Sequence, residues 1–143
     1  MKKEIINKIN RSERFVLSTV AINYTINKEN NSTICRGDFK ILFRGFTIHY
    51  IVECDFCIKS PTDVNNEEFA KKLARAKLQR TAYKYFKNYF MSRSLSELTN
   101  LTIRVESKKL NPNKLLTYIS NSIKFADEMI EHQNYYIYKV LNK

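Results

Sequence analysis

Three groups of residues in this 143-residue chain have types and spacings that could do chemistry. The first is Cys54 and Cys57, a Cys-x-x-Cys within ECDFC, with Cys35 upstream. A zinc site would want a second pair or histidines at suitable spacing, and Cys35 with His49 or His132 is a thin supply. Redox pairs of this kind prefer a helix N-terminus, whereas this one lies in a strand-patterned segment. The three read as buried thiols in a reducing cytoplasm, with no metal. The second group is His49, Glu53 and Asp55. The two histidines are the side chains that titrate near neutrality without large shifts. His49 and Glu53 share one strand face, but four residues along a strand is about 13 Å, too far for one proton relay. With two glycines in the chain, Gly37 and Gly45, a Gly-rich phosphate loop is excluded. No Ser-His-Asp spacing or paired carboxylate site stands out. The expectation is a binding protein with no catalytic residues and no cofactor.

The third group carries more weight. FAKKLARAKLQR, residues 69–80, holds five basic residues and no acidic one. On a helical wheel Lys77, Arg80, Lys84 and Lys87 gather on one side, and Lys71, Lys72 and Arg75 form a second patch nearer the helix start. Such a stripe can be a solvated face that keeps the helix soluble, or it can hold an anion. Arginine grips phosphate in a bidentate fork that lysine cannot match. Tyr83, Phe86, Tyr89 and Phe90 lie close by as rings on which a base could stack, although Phe86 and Tyr89 read as core. Arg36, Lys40 and Arg44 add cations on a strand face, where Glu53 and Asp55 of the next strand are expected to pair with Arg36 and Lys40. The candidate ligand-binding residues are Arg75, Lys77, Arg80, Lys84, Lys87, Tyr83 and Arg104.

The composition points the same way. Twenty-five Lys and Arg against fourteen Asp and Glu give +11, a balance that favours a polyanionic partner. An AT-rich coding bias, which inflates Lys, Asn, Ile and Tyr, competes for the excess lysine but explains the arginine less well. At 43% hydrophobic and 13% aromatic the chain can bury a core as one domain. No run approaches the roughly 18 apolar residues of a membrane span. The start, MKKEIINKINRSERF, lacks the apolar centre of a signal peptide, so a cytoplasmic protein of the host cell is expected.

These residues need elements to position them. Residues 1–13 read as an N-terminal arm, and residues 14–59 as an antiparallel meander of three long strands. In its second strand Cys35, Phe39, Ile41 and Phe43 share one face. Arg44-Gly45 between two phenylalanines suits a two-residue hairpin. Beyond it Phe46, Ile48, Tyr50, Val52, Cys54, Phe56 and Ile58 alternate with Thr47, His49, Ile51, Glu53, Asp55, Cys57 and Lys59. The apolar set is expected to be buried and the other wetter. A helix over 65–92 opens with Glu67 and Glu68, where the helix dipole favours acids. LTIRVE, residues 101–106, alternates as a fourth short strand. Asn111-Pro112-Asn113 opens a last helix over 113–141. At ~1.5 Å per residue that helix is about 42 Å long, more than a small sheet covers, so self-association through it is expected.

Glu67, Phe69, Lys71, Ala74 and Arg75 resemble the pattern D-x-F-x-R-x-x-G-R of small phage proteins of the anti-Thoeris sponge type, carried where their sheet passes into a helix. Glu67 stands for Asp, Lys71 for Arg and Ala74 for Gly, and the segment before Phe69 carries a small insertion. The resemblance covers about fifteen residues plus the order of sheet, helix and helix, and it implies sequestration of cyclic or ADP-ribose-type signalling nucleotides. Arg75 and Phe69 would be structural or oligomer-forming positions. The expected fold is α+β, an antiparallel sheet of about four strands with one helix packed on it and a long C-terminal helix. The expected function is a phage-type inhibitor of bacterial immunity that binds a phosphate-bearing nucleotide without catalysis. The alternative is a nucleic-acid-binding protein, an anti-CRISPR factor or a small RNA-binding regulator, working through the basic helix face.

Overall fold

The computed structural model describes residues 13–58, 67–106 and 111–141. The expected N-terminal arm falls mostly outside them, as does the helix start at 65–66. Three strands form one antiparallel sheet in the order β1 (Val16–Asn27), β2 (Ser32–Phe43), β3 (Phe46–Ile58). Three helices follow: α1 (Glu67–Met91), α2 (Leu95–Glu106) and α3 (Pro112–Leu141). The architecture is thus α+β, with three strands among the described residues and a long C-terminal helix.

Both hairpins are set by local backbone chemistry. Arg44 and Gly45 both take positive φ, 49° and 86°, the combination that a two-residue turn needs to match strand twist. Between β1 and β2, Asn31 takes φ 58° and the Asn30 carboxamide oxygen accepts from the Ser32 hydroxyl at 2.6 Å. Asparagine tolerates this conformation better than any β-branched residue.

The covered face of the sheet is the one the second strand predicts. Cys35, Phe39, Ile41 and Phe43 are all buried beneath α1. Gly37 lies among them because a Cβ there would sit 2.5 Å from the Phe39 ring and 2.8 Å from Leu78 of α1. Glycine lets the helix approach this closely. The buried residues of α1, among them Ala70, Leu73, Ala76, Leu78, Phe86 and Phe90, do not keep to one stripe. That follows from its place in the middle layer, with the sheet on one side and α3 on the other. Helix α3 runs antiparallel to α1, as Gln133–Gln79 (3.0 Å), Asn134–Arg80 (3.0 Å) and Asp127–Lys87 (2.6 Å) show. At one end Phe15, Phe43, Phe90 and Tyr118 form a ring cluster, with Phe15 fully buried 4.6 Å from Phe90 and 5.2 Å from Phe43. A buried Phe contributes up to about 3 kcal/mol relative to an exposed one.

Two expectations are corrected. Residues 101–106 belong to α2 and are not a fourth strand. A capping box starts this helix: the Glu97 amide donates to Ser94 Oγ at 3.1 Å, and the Ser94 amide donates to Glu97 Oε1 at 3.3 Å. With the start fixed there, Leu98, Leu101 and Thr102 fall at helical spacing on the packed side, and the alternation of LTIRVE is incidental. The second correction concerns β3. Ile51 and Cys57 are buried, whereas Tyr50, Val52, Cys54 and Phe56 are exposed. His49 pairs with Ile41 and Ile51 with Phe39, so the register carries His49, Ile51, Glu53, Asp55 and Cys57 to the helix side. An extra residue at Ile48, between the pairs Ile41–His49 and Leu42–Thr47, shifts the phase by one. The stronger apolar set of β2 decides which side is covered, and β3 follows through register. Glu53 and Asp55 therefore do not share a face with Arg36 and Lys40. Arg36 is instead 3.5 Å from Asp38 of its own strand, and Asp55 accepts from the Thr81 hydroxyl of α1 at 2.6 Å.

Candidate functional site

The stripe of α1 lies on the flank between the edge of β3 and α3, and both neighbours engage it. Lys77 Nζ reaches the Phe56 carbonyl at 3.5 Å. Arg80 donates to the Asn134 side chain, and Lys87 is ion-paired with Asp127. Tyr83 is half-buried, its ring 6.2 Å from both Phe86 and Phe125. Lys84 is exposed. In the second patch Lys71 places its ammonium 5.6 Å from the Tyr24 ring centre, and Lys72 and Arg75 are exposed. The structure therefore spreads Lys77, Arg80, Lys84 and Lys87 along the flank beside β3 and α3, sets Lys71 beside β1 at the other edge of the sheet, and does not gather these cations around a concavity.

Arg104 is placed differently. It lines a cleft of about 370 Å³ with Ile48, His49, Tyr89, Arg93, Glu97, Asn100 and Leu101. Three elements meet there: the start of β3, the end of α1 and α2. The turn between the helices directs Arg93 back across α1, its guanidinium carbon 3.6 Å above the Tyr89 ring centre and its Nη1 donating to the Tyr89 carbonyl at 3.3 Å. The contact is a cation–π stack that holds the planar fork in place. His49 enters from the sheet side, 4.7 Å from the Tyr89 ring and within 3.3 Å of the Tyr85 hydroxyl. Burial first, and the Arg93 charge second, push its pKa below the ordinary 6.5, so the ring is neutral at pH 7. Burial likewise raises the Tyr89 phenol, which Arg93 partly offsets.

Two guanidinium groups and one carboxylate thus line the cleft, and Glu97 is engaged by the Ser94 amide and hydroxyl. Such a cleft can take an anion in its arginine forks while a flat ring lies against the imidazole and phenol. Asn100 adds a donor and an acceptor. Among the described residues no group of three His, Cys, Asp or Glu is placed to hold a metal ion. No described helix is long and apolar enough to cross a membrane.

Of the cleft residues, sequence reasoning chose Arg104 alone. From the sequence His49 reads as a candidate catalyst or zinc partner, and Tyr89 as a nearby ring that belongs to the core, where it is 4% exposed. The signal that could have found the rest is Ser94-x-x-Glu97. Read as a capping box, it turns residues 101–106 into helix and brings Arg93, Asn100 and Arg104 to one corner. No family model, curated protein or solved structure matches the chain.

Proposed function

We propose that the protein binds and holds a phosphate-bearing nucleotide without transforming it, as a phage-type inhibitor that withdraws a signalling nucleotide from bacterial immunity. The observation that carries this reading is the pairing of Arg93 and Arg104 with the aromatic wall of His49 and Tyr89 in one cleft. The arginines supply charge-assisted hydrogen bonds to phosphate, and the rings supply a stacking surface. The volume lies within the range of small-molecule sites, about 300–1,000 Å³. The resemblance around Glu67, Phe69 and Arg75 supports the same class of ligand. A sequestering protein acts by stoichiometry, so its performance depends on slow release.

The test is calorimetric titration with cyclic nucleotides and ADP-ribose isomers, comparing two variants. Arg104→Glu should weaken capture at least about tenfold, the worth of one charge-assisted hydrogen bond of about 1.5–3 kcal/mol. Arg80→Glu with Lys84→Glu should change it by less than about threefold, because those side chains lie outside the cleft. The reverse pattern would move the site to the stripe.

A second reading, nucleic-acid binding, is favoured by the open face of the sheet. Tyr50 is 72% exposed and Phe56 is 53% exposed. Lys40 stands opposite Tyr50, and Arg36 opposite Cys54 between the two rings. Rings beside cations on an open sheet suit single strands. Salt separates the readings: backbone tracking loses affinity steeply as salt rises, and capture of a small nucleotide does not.

A further inference from the structure

The two outer strands of the sheet are treated very differently. Strand β3 is guarded. It carries Glu53 and Asp55, Lys77 reaches its Phe56 carbonyl, and α2 packs near its start. Strand β1, VLSTVAINYTIN, has twelve residues and no Lys, Arg, Asp, Glu or Pro. It is the one described element without a charged side chain. Its partner is β2 alone, and not one of its residues is fully buried, because α1 lies mainly over β2 and β3. Natural sheets blunt an outer strand with lysine, proline or a cover. The residues of β1 itself include neither lysine nor proline, and a cation of α1, Lys71, stands beside it over Tyr24.

We propose that β1 is the docking edge for a second copy of this chain, which pairs antiparallel with it across a two-fold axis to make a six-stranded sheet. The strand's own lack of charge and its self-matching register argue for this occupant. Molecules of net charge +11 repel one another, so a contact between copies costs least where cations are fewest; β1 itself carries none, and Lys71 of α1 places its ammonium 5.6 Å from the Tyr24 ring centre. A polyanion would be drawn to the cations of α1 and the cleft, not to a neutral strand.

The register supplies the geometry. Residues 21–27 pair with β2 without interruption, and the irregularity between Thr19 and Ala21 ends the straight stretch. A two-fold axis at Tyr24 sets Ile22 of one copy opposite Ile26 of the other and the two Tyr24 rings together on the helix side. On the open side it sets Asn23 opposite Thr25, an amide facing a hydroxyl. Apolar meets apolar and polar meets polar, as a self-complementary two-fold contact requires. Both open faces then join into one. Raised ionic strength tightens this contact by screening the like charges, opposite in sign to polyanion binding.

Light scattering on the full chain tests the proposal. Wild type should run at twice 17.0 kDa at tens of micromolar. Asn23→Lys with Thr25→Lys puts ammonium groups face to face across the axis and should give the monomer mass. Leu116→Glu, on the exposed flank of α3, should leave the dimer unchanged. A wild-type monomer, a dimer that survives the double lysine variant, or a dimer lost in Leu116→Glu each overturns β1 as the edge. A second measurement does not depend on how the lysine variant folds. In a Cys54→Ser background, Asn23→Cys mixed with Thr25→Cys should form a disulfide dimer on oxidation, while either alone forms little. Opposed residues in an antiparallel pair have Cα atoms about 4.5–5.5 Å apart, within disulfide reach. Equal cross-linking alone and in the mixture would refute this register.

Discussion

On β3, His49, Ile51, Glu53, Asp55 and Cys57 face the helices, while Tyr50, Val52, Cys54 and Phe56 face solvent. Counted by residue type alone, the solvent side is the more apolar. The difference between these faces teaches that alternation defines two sides of a strand without saying which is covered. Cover is decided by the whole sheet, and here by the central strand, whose Phe39, Ile41 and Phe43 have one place to go. The polar groups that β3 brings inward are met there: Asp55 by Thr81, and His49 by Tyr85 and Tyr89. Partnered in this way, they cost far less than orphaned buried groups would.

The contrast can be tested most strongly by deleting one ring from each face. Phe39, 2% exposed, touches the Gly37 gap and lies beneath α1. Phe39→Ala should cost about 3–5 kcal/mol in urea unfolding, the usual penalty for a large ring removed from a core. Tyr50→Ala, on the open face of the same sheet, should change stability by no more than about 0.5 kcal/mol. A large loss from Tyr50→Ala would mean that the open face is covered in solution, and the loss should then vary with protein concentration.

Much of this was legible in the sequence, for reasons that differ by region. The three-strand meander, the Arg44-Gly45 turn and the two long helices follow from local patterns: β-branched runs, a glycine between phenylalanines, Glu67 and Glu68 at a helix start, Pro112 at another. The covered side of β3 was not legible, because one extra residue at Ile48 inverts every later side chain and leaves no mark in residue types. Helix α2 was hidden by a six-residue alternation whose competing signal, Ser94 with Glu97, lies upstream of it. The cleft was mostly invisible because its residues come from positions 48 to 104, brought together by tertiary packing. The cationic stripe was read correctly as a stripe, but the wheel could not show that α3 would bring Asp127 to Lys87 and Asn134 to Arg80.

A smaller effect separates the two faces by pH. His49 lies on the covered side, with its pKa lowered by burial and then by Arg93. A folded pKa below the unfolded value means that the unfolded chain takes the proton first as pH falls. The stability tied to His49 is therefore complete above the ordinary histidine range near 6.5, declines as the pH falls through it, and levels off below the folded value. The melting temperature should drop between about pH 7.5 and pH 5, and His49→Gln should lessen that drop. A phosphate held by Arg93 and Arg104 reverses the preference, because a charged imidazole then faces an anion. Nucleotide affinity should rise over the same fall in pH, by less in His49→Gln. An affinity independent of pH would place the phosphate away from His49.

The mildest test uses the cysteines, since Cys54 and Cys57 are three residues apart on a strand and point to opposite faces. Cys54 is exposed beside Val52 and Phe56, while Cys35 and Cys57 are buried beneath the helices. Burial raises the Cys35 thiol, and the Arg75 guanidinium and Tyr24 side chain only partly offset it. Reaction with an alkylating reagent needs an accessible thiolate, so Cys54 should be modified first under native conditions. Mass spectrometry after brief treatment with iodoacetamide should find one adduct, on the peptide carrying Cys54. Cys35 should be labelled only with urea present, because the helix layer must lift from the sheet to expose it. Early labelling of Cys35 would mean that the helix layer opens from the sheet in the native protein.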